Sequence, residues 1–217
     1  MNTPQLLALA LCGLAVACSS AVESPPAAKS APASAPASST VAAATAPAAA
    51  PAPAPRAQGF YALKAADLGG APRDLAQYAG KVTLVVNTAS ACGYTPQYAG
   101  LEALHDELAP RGFVVLGWPS NDFGGQEPGT AEEIRAFCTD EYHVTFPLFA
   151  KVVTKAGPEQ SPIYAHLGEA TGKLPTWNFC KYLIGKDGRI AFQGEEGPSG
   201  FRPDELERAI QVELASQ

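Results

Sequence analysis

The sequence predicts an α/β domain with a central mixed sheet that is flanked by helices. Short apolar runs rich in β-branched residues alternate with longer helical segments between residues 59 and 217. A hairpin signal and then an amphipathic segment close the chain. Strand–helix alternation followed by a hairpin implies parallel and antiparallel pairs in one sheet, with helices on both of its faces.

The first half of this domain is predicted to hold three strands and one helix. The runs "GFYALKAAD" and "GKVTLVVNTA" are typical of strands, and a turn-rich "LGGAPRD" separates them. The segment "TPQYAGLEALHDELAPRG" predicts a helix with Thr95 as N-cap, Pro96 in the first turn and Gly112 after its end. The run "FVVLGWP" predicts the next strand.

The second half begins with a helix whose start is marked by a capping box. Thr130 opens "GTAEEIRAFCTDEY", and Glu133 follows at the position that a capping box requires. We then expect a strand at "FPLFAKVV", a short helix at "SPIYAHLGEAT", a hairpin in "FCKYLIGKDGRIAFQG" and a closing helix at "RPDELERAIQVELA". This order of elements is that of a thioredoxin-like fold.

The residues before this domain have a different composition. Residues 19–58 are almost entirely Ala, Pro, Ser and Thr, and they predict a disordered tether because they have little apolar surface to bury. The apolar run from Leu6 to Cys18 is too short to span a bilayer but suits a signal peptide. The predicted organisation is a signal peptide at 1–18, the tether at 19–58 and one folded domain at 59–217.

The signal segment ends in "LAVAC", which resembles the lipobox of bacterial lipoproteins. The resemblance implies that Cys18 becomes the lipidated first residue of the mature chain and anchors it to a membrane. We therefore expect a periplasm-facing protein of the bacterial cell envelope, and Ser19, in place of an aspartate, favours the outer membrane. An ordinary cleaved signal and a different start of the chain are the alternatives.

Composition and motifs argue against several other functions. The net charge is −6 and Lys and Arg form no cluster, which argues against nucleic-acid binding. His105, His143 and His166 lack metal-ligand spacing relative to the cysteines, so we expect neither a metal site nor a cofactor. The glycine-rich "GGQEPG" lacks the Lys-Ser/Thr ending of a nucleotide-binding loop.

Cys92 lies in "NTASACGYTPQY", between a predicted strand and a predicted helix start. It is not part of a C-x-x-C motif, because no second cysteine follows at that spacing. The unpaired N–H groups and the dipole at a helix N-terminus favour a thiolate, which makes Cys92 a candidate reactive thiol. Considered alone, however, a cysteine is more often a small buried hydrophobe.

Three blocks of the sequence resemble the signature blocks of the glutathione peroxidase family. They are "NTASACGYTPQY", "VLGWPSNDFGGQEPG" and "TWNFCKYLIGKDG", they occur in the family's order, and the resemblance extends over residues 59–217. It implies a thiol peroxidase in which Cys92 attacks hydrogen peroxide or an organic hydroperoxide and becomes a sulfenic acid. It also implies that Gln126, Trp177 and Asn178 surround the sulfur, where their N–H groups would stabilise the thiolate and the departing oxygen.

In the thioredoxin-dependent branch of this family, a resolving cysteine lies in the helix after the glutamine loop, and Cys138 matches its position. The resemblance implies an intramolecular disulfide with Cys92, which a thioredoxin-like protein or glutathione would reduce. Because a disulfide needs Cα atoms about 4.4–6.8 Å apart, we expect local unwinding of the helix. The alternative is that Cys138 is a buried residue of the helix face.

The sequence departs from the family's pattern at several positions. Ser120 stands where many relatives carry cysteine, which leaves the resolving role to Cys138. Asp122 stands where many carry glutamine, and its carboxylate would raise the pKa of a nearby thiol unless it faces solvent. Cys180 is interpreted as strand packing, with redox work as the alternative. The extra loop of tetrameric relatives is missing before Trp177, so we expect a monomer.

Two other functions use the same fold. A peroxide sensor or thiol–disulfide relay would oxidise a partner protein with the same cysteines, and a non-catalytic envelope protein would use the domain as a scaffold. The combination of Cys92, Gln126, Trp177 and Asn178 favours an enzyme, because a scaffold has no need of that set.

Overall fold

The structure is a computed structural model, and it describes residues 59–194 and 203–216. The predicted signal peptide, the tether and Cys18 lie outside the described residues. The strands are β1 (Lys64–Ala66), β2 (Pro72–Asp74), β3 (Val82–Thr88), β4 (Phe113–Pro119), β5 (Lys181–Ile184) and β6 (Ile190–Gly194). The helices are α1 (Gln97–Leu108), α2 (Ala131–Tyr142), α3 (Pro162–Thr171) and α4 (Pro203–Ala215), and 3₁₀ turns cover Gly59–Ala62, Leu75–Tyr78 and Ala109–Arg111.

β3 and β4 belong to a four-stranded sheet with the order β4-β3-β5-β6. Every residue of both strands is buried, and their runs "VTLVVNT" and "FVVLGWP" have the apolar, β-branched character that such a position favours. β3 and β4 are parallel and are connected through α1, whereas the pairs β3–β5 and β5–β6 are antiparallel. The predicted mixed sheet is confirmed, and β1 and β2 form a separate two-stranded pair.

Alternate residues of the strands point to two core clusters, one on each face of the sheet. Leu84 and Val86 of β3 pack in a cluster with buried residues of α1, α2 and α4. Val85 belongs to the other cluster, together with residues of α3 and of the first two 3₁₀ turns. Helices therefore cover both faces, as predicted, and the face of α1 and α2 also holds Cys92 and Cys138.

The first predicted strand is only partly right. Gly59–Ala62 forms a 3₁₀ turn, and only Lys64–Ala66 of this region is a strand. Phe60 and Tyr61 are both buried in the same core cluster. Successive side chains of a strand point to opposite faces, so two adjacent aromatic residues reach one cluster only if the backbone turns.

The strand predicted at "FPLFAKVV" is wrong, because residues 146–153 form only isolated bridges. Their backbone hydrogen bonds go to two different neighbours. The N–H of Phe149 donates to the carbonyl of Gly117 in β4 at 2.9 Å, whereas the carbonyl of Leu148 accepts from the N–H of Leu68, after β1, at 3.0 Å. A segment that divides its bonds in this way cannot build a ladder with either neighbour.

α2 begins at the predicted capping box. The Thr130 hydroxyl accepts a hydrogen bond from the N–H of Glu133 at 3.3 Å, and the Glu133 carboxylate accepts one from the N–H of Thr130 at 2.7 Å. The helix ends at His143, which adopts a left-handed conformation with φ of 53°. Ile134 and Cys138 are its buried residues.

Neither a membrane-spanning helix nor a group of metal ligands occurs in residues 59–194 and 203–216. No helix of this range is long and apolar enough to cross a bilayer, and no three or more His, Cys, Asp and Glu side chains in it are grouped as ligands. The histidines have unrelated contacts: His105 lies against Phe146, His166 against Phe60, and His143 contacts the last turn of α2.

Candidate active site

Cys92 lies in the turn between β3 and α1, and Thr95 holds this turn in place. The Thr95 hydroxyl accepts from the N–H of Cys92 at 3.0 Å and donates to the carbonyl of Ala89 at 2.9 Å. Its N–H donates to the carbonyl of Cys92 at 3.0 Å. The prediction that Thr95 is the N-cap of α1 is wrong, because its hydroxyl is used by the turn and Pro96 precedes the helix instead.

The sulfur of Cys92 lies just below the surface, with 8% of the residue exposed. The backbone N–H of Tyr94 donates a hydrogen bond to this sulfur at 3.4 Å. Donors at a helix start favour the thiolate, which is the nucleophilic form. The sequence predicted such donors in general terms, and the structure identifies the amide of Tyr94 as one of them.

The glutamine loop returns to the cysteine turn through two glycines. Gly124 and Gly125 have φ of 66° and 62°, a left-handed conformation that glycine adopts without steric cost. The turn places the carbonyl of Gln126 where it accepts from the N–H of Ala91 at 3.0 Å. This backbone bond joins the second predicted block directly to the first.

Gln126 and Asn178 meet side chain to side chain. The Asn178 amide nitrogen Nδ2 donates to Gln126 Oε1 at 2.9 Å, which joins the third block to the second. The Nε2 amide is the donor group of the Gln126 side chain, and the bond from Asn178 to Oε1 does not use it. The described side-chain bond of Asn178 goes to Gln126 rather than to the sulfur, so Asn178 is placed to orient Gln126.

Trp177 lies at the surface beside the glutamine loop. It is 38% exposed, and its ring centroid is 6.0 Å from that of Phe123. An exposed indole has an apolar face and an N–H group available to a molecule that approaches from solvent. The structure thus brings the three predicted blocks together, although the described contacts of Trp177 are with Phe123 and Asn87 rather than with the sulfur.

Asn87 is a site residue that the sequence analysis missed. Its amide donates to the carbonyl of Trp177 at 2.8 Å and accepts from the N–H of Cys180 at 2.9 Å. Its backbone carbonyl accepts from the N–H of Phe179, whose φ of 65° places it in the left-handed region. One buried asparagine therefore holds the backbone of the tryptophan block. The available signal was an amide side chain inside the run "VTLVVNT", whose other residues are leucine, valine and threonine.

We expect Asn87→Ala to lower both stability and activity. It removes the partners of the buried Cys180 N–H and of the partly buried Trp177 carbonyl, which costs about 2–4 kcal/mol of unfolding free energy. Gln77→Ala is the control, because this exposed amide makes its bond to the carbonyl of Asp74, and a surface change of this kind costs within about 0.5 kcal/mol. Urea unfolding measures the stability of both variants, and peroxide consumption measures their activity; equal stabilities of the two variants would contradict this role of Asn87.

Cys138 is fully buried in α2, in the same core cluster as Cys92. Burial raises the pKa of its thiol to about 11; the Tyr98 hydroxyl acts in the lowering direction and the charge of Glu127 raises the pKa further. At neutral pH Cys138 is therefore protonated, and it is not joined to Cys92 by a disulfide in the structure. The expected opening of α2 before the two sulfurs meet stays a prediction.

The described contacts of Cys180 and Asp122 are with residues other than Cys92. Cys180 belongs to the core cluster on the opposite face of the sheet from Cys92 and Cys138, which agrees with the packing interpretation. The Asp122 carboxylate accepts from the N–H and hydroxyl of Thr154 at 2.5 and 2.7 Å and from the N–H of Lys155 at 3.2 Å. Partial burial raises its pKa, but these hydrogen bonds outweigh burial and lower it overall.

Comparison with known proteins agrees with this geometry. The family model described as glutathione peroxidase matches residues 60–168. The glutathione peroxidase-like peroxiredoxin gpx1 of Schizosaccharomyces pombe is 44% identical over 159 residues, which cover 71% of this chain and 98% of that protein. The hydroperoxy fatty acid reductase gpx1 of Synechocystis is 42% identical over 161 residues, which cover 70% of this chain and 93% of that one.

Solved structures show the same relationship. The apo form of Trgpx is 32% identical, with a TM-score of 0.58, over 73% of this chain and 97% of that chain. A thiol:disulfide interchange protein of Chlorobium tepidum, at 17% identity and a TM-score of 0.51, shares the fold alone. The predicted thioredoxin-like fold is confirmed, and the chain belongs to the glutathione peroxidase family.

Proposed function

We propose that this peroxidase reduces hydrogen peroxide and organic hydroperoxides by a two-cysteine cycle, with Cys92 as the peroxidatic and Cys138 as the resolving residue. The observation that supports it most is the meeting of the three blocks beside Cys92. The bonds Ala91–Gln126 and Asn178–Gln126 bring an oriented amide donor next to the turn that carries the sulfur.

In the first step, the Cys92 thiolate attacks one oxygen of the peroxide. A sulfur–oxygen bond forms and the O–O bond breaks, and the second oxygen leaves as water or an alcohol after it takes up the proton that the thiol released. The N–H of Tyr94 donates a hydrogen bond to the Cys92 sulfur before the attack. The Nε2 amide of Gln126 and the indole of Trp177 are the proposed donors to the departing oxygen, and Asn178 positions Gln126.

In the second step, the Cys138 sulfur displaces the hydroxyl of the Cys92 sulfenic acid. The S–S bond forms, the S–O bond breaks, and the hydroxyl leaves as water with the proton of the Cys138 thiol. Because Cys138 is buried in α2, this step requires opening of that helix. A thioredoxin-like dithiol then reduces the disulfide by two exchange reactions, and glutathione is the alternative reductant.

Weakening the N-terminus of α2 should speed the second step. Thr130→Ala removes the N-cap and lowers stability by about 1 kcal/mol. If that loss falls on helix opening, disulfide formation becomes roughly fivefold faster. Ser161→Ala is the matched control, since it removes the N-cap of α3 on the other face of the sheet. Stopped-flow thiol loss after one equivalent of peroxide measures the rate; equal rates in both variants would refute an opening of α2.

Organic hydroperoxides are included among the proposed substrates for two reasons. The Synechocystis relative is named a hydroperoxy fatty acid reductase. The exposed indole of Trp177 and the nearby ring of Phe123 offer apolar contacts beside the site, where an alkyl chain can lie. Comparing kcat/KM for hydrogen peroxide and for a fatty acid hydroperoxide tests this part of the proposal.

We also propose that the protein acts as a monomer in the bacterial cell envelope, held by a lipid on Cys18 with the 19–58 segment as a spacer. The support is the "LAVAC" sequence at the end of the apolar run. Cys18→Ala should move the protein from the membrane fraction to the soluble fraction. Cys12→Ala is the control and should stay with the membrane, because Leu11, not a small residue, precedes Cys12. Unchanged membrane association of Cys18→Ala would contradict the anchor.

A peroxide sensor or thiol–disulfide relay is the second candidate, and the burial of Cys138 favours it. If α2 opens slowly, the Cys92 sulfenic acid lasts long enough to oxidise a partner protein. Steady-state consumption of peroxide with a supplied thioredoxin separates the two functions. Sustained turnover supports the peroxidase cycle, whereas oxidation that stops after one equivalent supports the relay.

A further inference from the structure

A group of buried oxygen atoms whose contacts fall short of full hydrogen-bond geometry lies beside Cys138 and the turn of Cys92. Among the described residues these atoms include the hydroxyls of Thr88, Ser90 and Tyr98 and both carboxyl oxygens of Glu127. Native proteins seldom leave buried polar atoms unpaired unless water or function uses them. We refer to these four residues together with Cys138 as the buried polar cluster.

Glu127 connects the turn of Cys92 with the helix of Cys138. It follows Gln126, whose carbonyl is bonded to Ala91, and its own side chain is fully buried. Its carboxyl group lies beside Ser90, in the turn of Cys92, and its charge acts on the Cys138 thiol. It is therefore the one carboxyl of the cluster, placed beside the turn of Cys92 and close enough to Cys138 for its charge to act on that thiol.

Tyr98 continues this connection from α1. Its hydroxyl faces the Cys138 thiol and the Thr88 hydroxyl, although neither contact has full hydrogen-bond geometry. Tyr98 and Glu127 both act on the Cys138 thiol, so the three groups lie close together in the buried polar cluster. Neighbouring groups transfer protons directly or through one water molecule.

The surroundings of Glu127 make it a better base than an exposed carboxylate. Burial raises its pKa; the hydroxyl and N–H of Ser90 and the positive charge of Lys151 act in the lowering direction without cancelling that effect. Lys151 is itself bonded to the carbonyl of Gly129 at 2.7 Å. Tyr98 and Glu127 are the groups that act on the Cys138 thiol.

We propose that Glu127 accepts the proton of the Cys138 thiol while Cys138 is still packed in the buried polar cluster, before α2 opens and the disulfide with Cys92 forms, an inference that rests on the proposed resolving role of Cys138. The S–S bond forms, the S–O bond of the Cys92 sulfenic acid breaks, and the departing hydroxyl takes the proton from Glu127 and leaves as water. The sulfenic sulfur is reduced, the Cys138 sulfur is oxidised, and the step needs no further reactant.

Proton transfer to Glu127 also removes an electrostatic obstacle. While ionised, this carboxylate opposes a second negative charge at Cys138. Once it holds the proton it is neutral, so the thiolate forms without a charged neighbour. A carboxyl that acted only through its charge would therefore slow the second step, whereas a proton acceptor speeds it.

Whether Glu127 speeds or slows disulfide formation can be measured directly. Reduced wild-type, Glu127→Gln and Glu107→Gln proteins are mixed with one equivalent of hydrogen peroxide, and the second phase of thiol loss is followed by stopped flow over a pH series. Glu107 is an exposed residue of α1, so its variant controls for net charge. We expect the ratio of second-phase to first-phase rates to fall at least about tenfold in Glu127→Gln and to stay at the wild-type value in Glu107→Gln.

The pH dependence separates proton transfer from a structural effect. In Glu127→Gln the thiol must ionise unaided, so its second phase should rise by about tenfold for each pH unit, more steeply than in wild type. Glu127→Asp, which keeps a carboxyl group, should retain the wild-type slope at a reduced rate. A Glu127→Gln rate that is lowered equally at every pH would show a structural role only and would overturn the inference.

Peptide mapping of the oxidised proteins over time separates a failure of the two-cysteine cycle from a failure of the role proposed for Glu127. If wild-type protein forms no Cys92–Cys138 disulfide, the proposed two-cysteine cycle fails. If that disulfide forms in Glu127→Gln as fast as in wild type, or faster, the cycle stands and the role of Glu127 is wrong.

Discussion

Replacing Cys92 with serine is expected to abolish peroxide reduction while the domain remains folded. Serine is nearly isosteric with cysteine, and its hydroxyl still accepts the hydrogen bond from the N–H of Tyr94. A serine hydroxyl is a far poorer nucleophile at neutral pH, so kcat/KM should fall by roughly a thousandfold or more. Consumption of hydrogen peroxide with a thioredoxin system measures the loss, and the unfolding midpoint checks the fold.

Cys180→Ala is the matched control for this change. It also removes one buried thiol, but from the core cluster on the other face of the sheet. We expect it to keep most of the wild-type turnover. Substantial activity in Cys92→Ser, or a comparable loss in Cys180→Ala, would contradict the assignment of Cys92 as the nucleophile.

Cys138→Ser should stop the cycle after one turnover. Cys92 and its donors are untouched, so the first equivalent of peroxide is still reduced. The variant should then stall with thioredoxin, because a sulfenic acid alone offers no disulfide for a dithiol to attack. Further peroxide should convert Cys92 to the sulfinic acid, which intact-mass measurement detects.

Two results would remove the resolving role from Cys138. One is normal cycling of Cys138→Ser with thioredoxin, and the other is a Cys92–Cys180 linkage in the oxidised wild-type protein. Rescue of Cys138→Ser by glutathione would instead indicate that a one-cysteine cycle is also open to Cys92. The peroxidase activity itself would survive each of these outcomes.

The sequence predicted the strongly patterned elements well and the irregular ones poorly. The strands "VTLVVNT" and "FVVLGWP" and the capping box at Thr130 carry local signals that the structure bears out. The segment 146–153 has the composition of a strand, but its hydrogen bonds go to two neighbours that are distant in sequence. Thr95 is predicted as an N-cap, but its hydroxyl makes hydrogen bonds within the Cys92 turn instead of capping α1.

The candidate site was predictable where residues have a recognisable pattern. Cys92 and the glutamine and tryptophan blocks came from the resemblance to a family, and the structure joins those blocks by hydrogen bonds. Asn87 and Glu127 were missed because their partners lie far away along the chain. The role of a buried asparagine or glutamate can be assigned only when the groups that surround it are known.

One peroxide molecule is expected to oxidise Cys92 to a sulfenic acid, which Cys138 then converts to a disulfide. The most direct test is to titrate the reduced protein with hydrogen peroxide, count the thiols that remain and map the oxidised peptides. We expect a loss of two thiols for each peroxide and a Cys92–Cys138 disulfide. Loss of a single thiol, or a Cys92 that stays reduced while peroxide is consumed, would contradict this expectation.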